Sequence, residues 1–289
     1  MAIYYWDLYS KIHGSRNFGD DINPWILPKL FSKHVIESRA VCVVGIGTLL
    51  DSNKMVSLSG FKKKIVFSSG AGYGSAPDLS DPSWEIACVR GPGTAGLLNL
   101  DPSKAVTDGA VLLSDFFEPE SAIQKRGTVF VPHIRTHWRI GSTLKKVCDR
   151  IGFGYLPPDA QMAHFVETLR DADLAVCEAM HGAITADAVR TPWVCCDLLY
   201  HNEFKWRDWC ASMDVPYLRH PIGASVEWRN GSLVYRGLRK VKGPLERVRL
   251  EHQLGKLEFF PRNLSNLEIF KERKQRLKQL VEDINEHYG

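Results

Sequence analysis

The sequence predicts an α/β protein with two parallel-sheet domains, followed by one long C-terminal helix. Three observations carry that expectation. Short β-branched runs alternate with glycine-rich turns and helical stretches, as parallel strands covered on both faces require. The pattern comes in two sets, separated by the polar stretch EPESAIQKRG. Near the end of the chain, apolar residues recur at helical spacing.

Taken in order, AIYYW reads as a first strand, and a helix begins near Asp21 and runs through PWILPKLF. The segments AVCVVGIGTLL, KIVFSSGAGYG, WEIACVRGPGTAGLL and AVTDGAVLLSDFF each read as strand, turn and helix. The second set opens with strand GTVFVPH and helices around TLKKVCDRIGF and AHFVETLRD. Strand LAVCEA, a turn at Met180-His181-Gly182, helix AITADAV and strand WVCCDLL follow. A boundary near Gln124 to Gly127 gives domains 1–125 and 126–262, then a helix over 263–289 that packs back on the body. Ser265 with Glu268 has the spacing of a capping box, and Phe270, Leu277, Leu280, Val281 and Ile284 form its apolar stripe.

Composition sets the class. With 289 residues, 44% hydrophobic and 24% charged, the chain can fill two cores. The N-terminus has no signal-peptide pattern, and no apolar run approaches the ~20 residues of a membrane helix. Seven cysteines lack CxxC spacing and several lie inside apolar runs, which predicts buried free thiols in a reducing cytoplasm. The net charge of +4 is uneven: from Arg236 onward there are 13 Lys/Arg against 8 Asp/Glu. That end is either a solvated helix face or a peripheral contact with an anionic inner-membrane surface. No nucleic-acid-binding module is recognisable, and no metal-ligand spacing is present.

Ligands of doubly wound sheets bind beyond the carboxyl ends of the strands, which directs attention to five loops. Asn17-Phe18-Gly19-Asp20-Asp21 offers a carboxylate base or ordinary helix caps. Gly45-Ile46-Gly47-Thr48 is an incomplete dinucleotide fingerprint, fit for tight packing or backbone contact with a ligand. Arg90, before Gly91-Pro92-Gly93-Thr94, binds an anion or forms a structural ion pair. His133 and Arg135 follow strand GTVFV and either face the interdomain cleft or are loop polarity. In Glu178-Ala179-Met180-His181-Gly182, His181 is a phosphoryl donor, a proton source or a satisfied structural histidine.

Together the stretches NFGDD (17–21), GIGTLL (45–50), VRGPGT (89–94), TDGA (107–110), VPH (131–133) and EAMHGAITADAVRTPWV (178–194) resemble the polysaccharide pyruvyltransferase family. Lys205-Trp206-Arg207-Asp208-Trp209 resembles a KW-D-W element of its exopolysaccharide branch. The resemblance covers about residues 10 to 210. It implies two Rossmann-like domains facing a cleft, similar to the GT-B glycosyltransferase fold. It also implies phosphoenolpyruvate as donor, no cofactor, and a pyruvate ketal on a saccharide acceptor, free or lipid-linked. Carried over by motif, Arg90, His181 and Gly182 contact the donor, His181 doubles as general acid, and Asp20 is the base. Asn17, Asp21 and His133 fall on the acceptor side. Several members carry an arginine where this chain has Ala179, so Arg135 or Lys205 must supply that charge. Two rivals remain: a nucleotide-sugar glycosyltransferase using Glu178 on a ribose, and a non-catalytic sugar- or phosphate-binding subunit of a polysaccharide assembly complex using KWRDW as an aromatic platform.

Overall fold

The computed structural model describes residues 3–7, 14, 16–117, 126–222, 226–229, 232–235 and 244–289. The expected boundary at 124–127 falls partly outside them, as does the stretch 236–243.

The first half builds a parallel sheet in the order β1-β2-β3-β4. Its elements are β1 (Ile3–Tyr4), α1 (Phe18–Leu30), α2 (Lys33–Glu37), β2 (Val41–Val44), α3 (Ser52–Met55), β3 (Lys63–Ser69), β4 (Trp84–Val89) and α4 (Pro92–Leu97). Helix α1 starts three residues earlier than expected, because Asn17 takes the cap position and Asp20 and Asp21 enter the first turn. It buries Phe18, Ile22, Ile26 and Leu27, one face at helical spacing. Pro24 lacks an N–H, so the carbonyl of Asp20 loses its helical partner. The side chain of Asn23 compensates, donating to that carbonyl at 3.2 Å.

One expected unit fails. AVTDGAVLLSDFF forms no strand; Ala105 makes a lone bridge to Val89, and Gly109–Asp115 is a 3-10 helix. The Asp108 carboxylate accepts from the Ala110 N–H, which starts a tight turn instead of a strand.

The five-stranded sheet of the second half is again parallel throughout, in the order β6-β5-β7-β8-β9. It comprises β5 (Thr128–Val131), α5 (Ile134–Ile151), β6 (Gly154–Tyr155), α6 (Met162–Arg170), β7 (Leu174–Cys177), α7 (Met180–Ala188), β8 (Trp193–Asp197), α8 (Glu203–Ser212) and β9 (Arg219–Pro221). Strand order reverses between β5 and β7, a topological switch point where loops diverge and leave a crevice. Helix α5 begins at Ile134, well before the expected TLKKVCDRIGF, and is broken at Ile140 (φ −142°, ψ 17°). Helix α7 starts at Met180, so the expected turn at Met180-His181-Gly182 is its first helical turn.

A hairpin of β10 (Val226–Arg229) and β11 (Ser232–Tyr235), then α9 (Pro244–Gly255), lead to α10 (Leu267–Tyr288). Helix α10 buries the five residues of the expected stripe. Its cap differs. Asn266 accepts from the Glu268 N–H, whereas Ser265 is drawn away by the buried Asp187 carboxylate, which takes its N–H at 2.8 Å and its hydroxyl at 2.5 Å. The helix returns to the first half of the chain. Asn285 accepts from the Ser32 N–H and donates to the Leu30 carbonyl, and the Tyr288 hydroxyl donates to Glu85. All seven cysteines are buried and unpaired by disulfides. Among the described residues, no helix is long and apolar enough to cross a membrane.

Leu277 is fully buried and Leu267 is half-exposed at the start of the same helix. Leu277→Ala should lower unfolding free energy by about 2–5 kcal/mol in denaturant titration, and Leu267→Ala by well under 1 kcal/mol.

Candidate active site

The carboxyl ends of the two sheets face each other across a cleft of about 1750 Å³. Aromatic and backbone contacts close its floor. Phe18 of α1 stacks on Phe165 of α6 with ring centroids 3.7 Å apart, and the Phe18 N–H donates to the Pro158 carbonyl at 2.7 Å. Of the residues expected in the site, Asn17, Asp20, His133, Arg135, His181, Gly182 and Lys205 line the cleft.

His181 stands in the first turn of α7, against the backbone of α1. A side chain at Gly19 would overlap its ring, so glycine there is what admits the histidine. Its Nε2 lies 3.6 Å from Oδ2 of Asp108, which is fully buried. Neither atom has a hydrogen-bond partner at shorter range. Burial works to raise the Asp108 carboxyl, yet the facing His181 side chain, with the Ala110 N–H and the Arg90 charge, holds it below the usual carboxylate range. The pair therefore keeps a carboxylate behind the imidazole. In the sequence Asp108 is only one residue of TDGA, and nothing there points it at a histidine 73 residues away.

Asp20 sits beside this pair. Burial raises its carboxyl from 3.8 to about 6, opposed by the Asn17 side-chain bond at 2.6 Å and the charges of His181 and Lys205. A carboxylate at that value exchanges protons near neutral pH. Asp21 turns away. It does not line the cleft, and its carboxyl, raised by burial, answers instead to Arg16. Asp21, expected on the acceptor side, thus lies outside the cleft lining, one residue round the helix from Asp20.

The opposite wall is cationic. Lys205 Nζ bonds the Tyr73 hydroxyl at 3.2 Å, and the Arg135 guanidinium lies 5.8 Å from the Tyr200 ring centre. Lys54, absent from the sequence reading, joins them. Its ammonium donates to the Thr48 carbonyl at 2.7 Å, and burial lowers its pKa. His133 is held neutral, lowered to about 3 by burial and by the charges of Lys205 and Arg135. Its Nδ1 accepts the Arg135 N–H at 3.2 Å, which leaves the proton on Nε2. Gly182 serves packing: a Cβ there would meet Val131 at 2.8 Å.

Arg90 is the main correction. It is fully buried and does not line the cleft. Its Nε bonds Asp208 at 3.0 Å, one amino group bonds the Thr48 hydroxyl at 3.1 Å, and the other bonds the Ala71 carbonyl at 2.7 Å. Asp208 also accepts from the N–H and hydroxyl of Thr94. The guanidinium is spent behind the wall, as a structural ion pair between α8 and the β4 end of the first sheet.

Two further expectations change with burial. Trp206 and Trp209 of KWRDW pack on Trp193 in the core, so they offer no aromatic platform. Glu178 is likewise committed. Its carboxylate accepts from the N–H groups of His133, Leu199 and Tyr200 and from the Thr136 hydroxyl, which ties together the loops after β5, β7 and β8. Gly45 and Gly47 do not open a helix; the Asn23 side chain instead pins the turn by bonding both the N–H and carbonyl of Ile46.

Removing Arg90 leaves Asp208 charged and buried, so Arg90→Ala should cost about 3–5 kcal/mol of stability. Denaturant unfolding checks this, and a variant as stable as wild type would return Arg90 to the ligand-binding role.

No family model matches the chain. Among solved structures, the crystal structure of Methanocaldococcus jannaschii UDP-GlcNAc 2-epimerase in complex with UDP-GlcNAc and UDP aligns over 95% of this chain and 83% of that one, with a TM-score of 0.44 and 11% identity. The succinoglycan biosynthesis protein ExoV of Rhizobium meliloti (strain 1021) is 36% identical over 233 residues, which span 78% of this chain and 70% of ExoV. That degree of identity over so much of both proteins agrees with the ordered motif series, and the chain belongs to the exopolysaccharide pyruvyltransferase family.

Proposed function

We propose that the protein transfers the pyruvyl group of phosphoenolpyruvate onto two hydroxyls of one hexose. The acceptor is an exopolysaccharide of the succinoglycan type or its lipid-linked precursor, and the product is a cyclic ketal. The observation that carries this reading is the cationic wall of Lys54, Arg135 and Lys205 opposite the His181–Asp108 pair in one cleft. Phosphoenolpyruvate is close to a trianion and needs several fixed positive charges. Preorganised groups of this kind are each worth on the order of 3 kcal/mol of barrier.

In this scheme the His181 imidazolium gives a proton to the methylene carbon, and the Asp108 carboxylate offsets the charge before transfer. The second carbon becomes oxocarbenium-like and is attacked by a first hydroxyl, whose proton passes to Asp20. Lys54, Arg135 and Lys205 hold the phosphate and carboxylate, while Asn17 and His133 orient the sugar. Loss of phosphate and attack by a second hydroxyl close the ketal. Of the two hydroxyl protons, one ends on the new methyl group and one on hydrogen phosphate. No organic cofactor or metal enters the scheme.

A nucleotide-sugar reading lacks its ribose-binding carboxylate, since four protein donors already occupy Glu178. A purely sugar-binding reading lacks its platform, since Trp206 and Trp209 are core residues.

The test is turnover. Purified protein given phosphoenolpyruvate and acid-treated succinoglycan oligosaccharides, whose ketals have been hydrolysed, should release phosphate and form a ketal methyl group. His181→Asn should lower kcat by about 10²–10⁴-fold while the variant still unfolds cooperatively. Turnover of nucleotide-sugars alone, or undiminished activity in the variant, would overturn the assignment.

Asp20 gives a second check with an opposite sign for stability. Because its folded pKa is raised from 3.8 to about 6, the favourable contribution to folding is present below 3.8 and lost as pH rises through 6. Asp20→Asn should therefore be more stable than wild type at pH 7, a difference that vanishes below about pH 4, while ketal formation falls by about 10²–10⁴-fold. Thermal melts across pH, paired with rates, measure both.

A further inference from the structure

Ketal formation needs more proton chemistry than one acid and one base supply. The first half uses His181 and Asp20, which neighbour each other and pass the proton back between them. The second half has its own requirement: phosphate must leave with a proton, and the ring-closing hydroxyl must lose one. Across the cleft from the first pair stands Tyr73, on the loop after β3, with its hydroxyl 3.2 Å from Lys205 Nζ.

Several contacts fix that loop against the second half of the chain. The Asn202 side chain donates to the Gly72 carbonyl at 2.7 Å. Gly72 has φ +143°, a region that favours glycine, and a Cβ there would meet Lys205 Cγ at 2.8 Å. The phenol is therefore delivered to the Lys205 ammonium by a backbone that only glycine fits, and Lys54 Nζ lies 5.4 Å from its ring centre. Tyr73, Lys54, Lys205, Asp20 and His181 all line the same cavity.

We propose that Tyr73 is a second acid–base residue, which protonates the departing phosphate and then takes the proton of the ring-closing hydroxyl. This rests on the pyruvyl-transfer reading above and deepens it. The phenol O–H proton goes to the bridging phosphate oxygen as the C–O bond breaks, so hydrogen phosphate leaves. The phenolate, held by Lys205, accepts the proton of the second hydroxyl as its oxygen bonds to the same carbon. Tyr73 ends as a phenol, and no proton is gained or lost by the protein. The electrostatics suit both steps. Burial alone would raise the phenol pKa, but the charge and hydrogen bond of Lys205, with the charges of Arg135 and Lys54, bring it below the ordinary 10. That makes a better acid and a more stable phenolate.

Tyr73→Phe keeps the ring and removes the proton. With phosphoenolpyruvate as probe, its calorimetric Kd should stay within about threefold of wild type. Steady-state ketal formation should fall by about 10²–10⁴-fold. Rapid quench should catch the open-chain adduct, in which one sugar oxygen and the phosphate share the same carbon, before phosphate appears. The His181→Asn variant should form no such adduct. Site-specific fluorotyrosine at position 73 should retain turnover and move the high-pH fall in kcat to lower pH, because its phenol is more acidic. Ketal formation within threefold of wild type in Tyr73→Phe, loss of phosphoenolpyruvate binding in step with activity, or a pH profile indifferent to fluorination would each overturn the proposal. Wild-type protein that forms no ketal from phosphoenolpyruvate would instead remove the pyruvyl-transfer reading itself, and this role with it.

Discussion

Arg90 and Asp208 lie 118 residues apart, at the end of a first-sheet strand and on a second-half helix, and they meet with no access to water. Burying two charges is costly, and the pair is sustained because its hydrogen-bonding capacity is largely met: Thr48 and Ala71 on one side, both polar groups of Thr94 on the other. Glycine at position 91 lets the chain approach the Asp208 backbone closely. The consequences spread outward. Lys205 precedes Asp208 by three residues, roughly one helical turn, so anchoring Asp208 also sets where Lys205 enters the cleft. Thr48 lies in the segment that leads into α3, which carries Lys54, and Ala71 lies in the loop that carries Tyr73. The ion pair thus joins the two halves of the chain behind the cleft, alongside the Phe18–Phe165 stack and the Asn202–Gly72 bond.

The cleft uses burial to separate the roles of similar groups. Two aspartates flank His181, and their environments push them in opposite directions: Asp108 below the usual carboxylate range, Asp20 up to about 6. Of the two histidines in the cleft, burial and neighbouring cations hold His133 neutral, and His181 faces a carboxylate. Such divergence between neighbouring titratable groups is how one site supplies an acid, a base and a fixed charge at a single pH. Glu178 is the counterexample. Its four donors make it an organiser of three loops, not a participant.

Much of this was legible in the residue order. Strand runs such as VCVV and LAVC, the α10 stripe and the free cysteines followed from periodicity and composition, because burial on one face or both leaves a local signature. The cleft residues at 17–20, 133–135 and 181 followed from a topological rule about strand ends. AVTDGAVLLSDFF misled because its apolar run suits a strand as well as a buried 3-10 turn, and the choice was made by the Asp108 cap. Ser265 misled in the same way, its capping spacing being real but overridden by Asp187.

Charge direction was the part that sequence could not hold. An arginine after a strand, beside a glycine-rich turn, has one local description whether it points into a cleft or behind its wall. Asp208, remote in the chain, decided that Arg90 points behind. Lys54 and Tyr73 carry no motif, and they become site residues only because folding gathers them with Lys205. The sequence by itself determined most of the elements, the two parallel sheets and the family, all of which are written in short-range patterns. Tertiary structure alone decided which charges are spent on holding the two walls together and which remain for a ligand, since that depends on pairs of side chains more than a hundred residues apart.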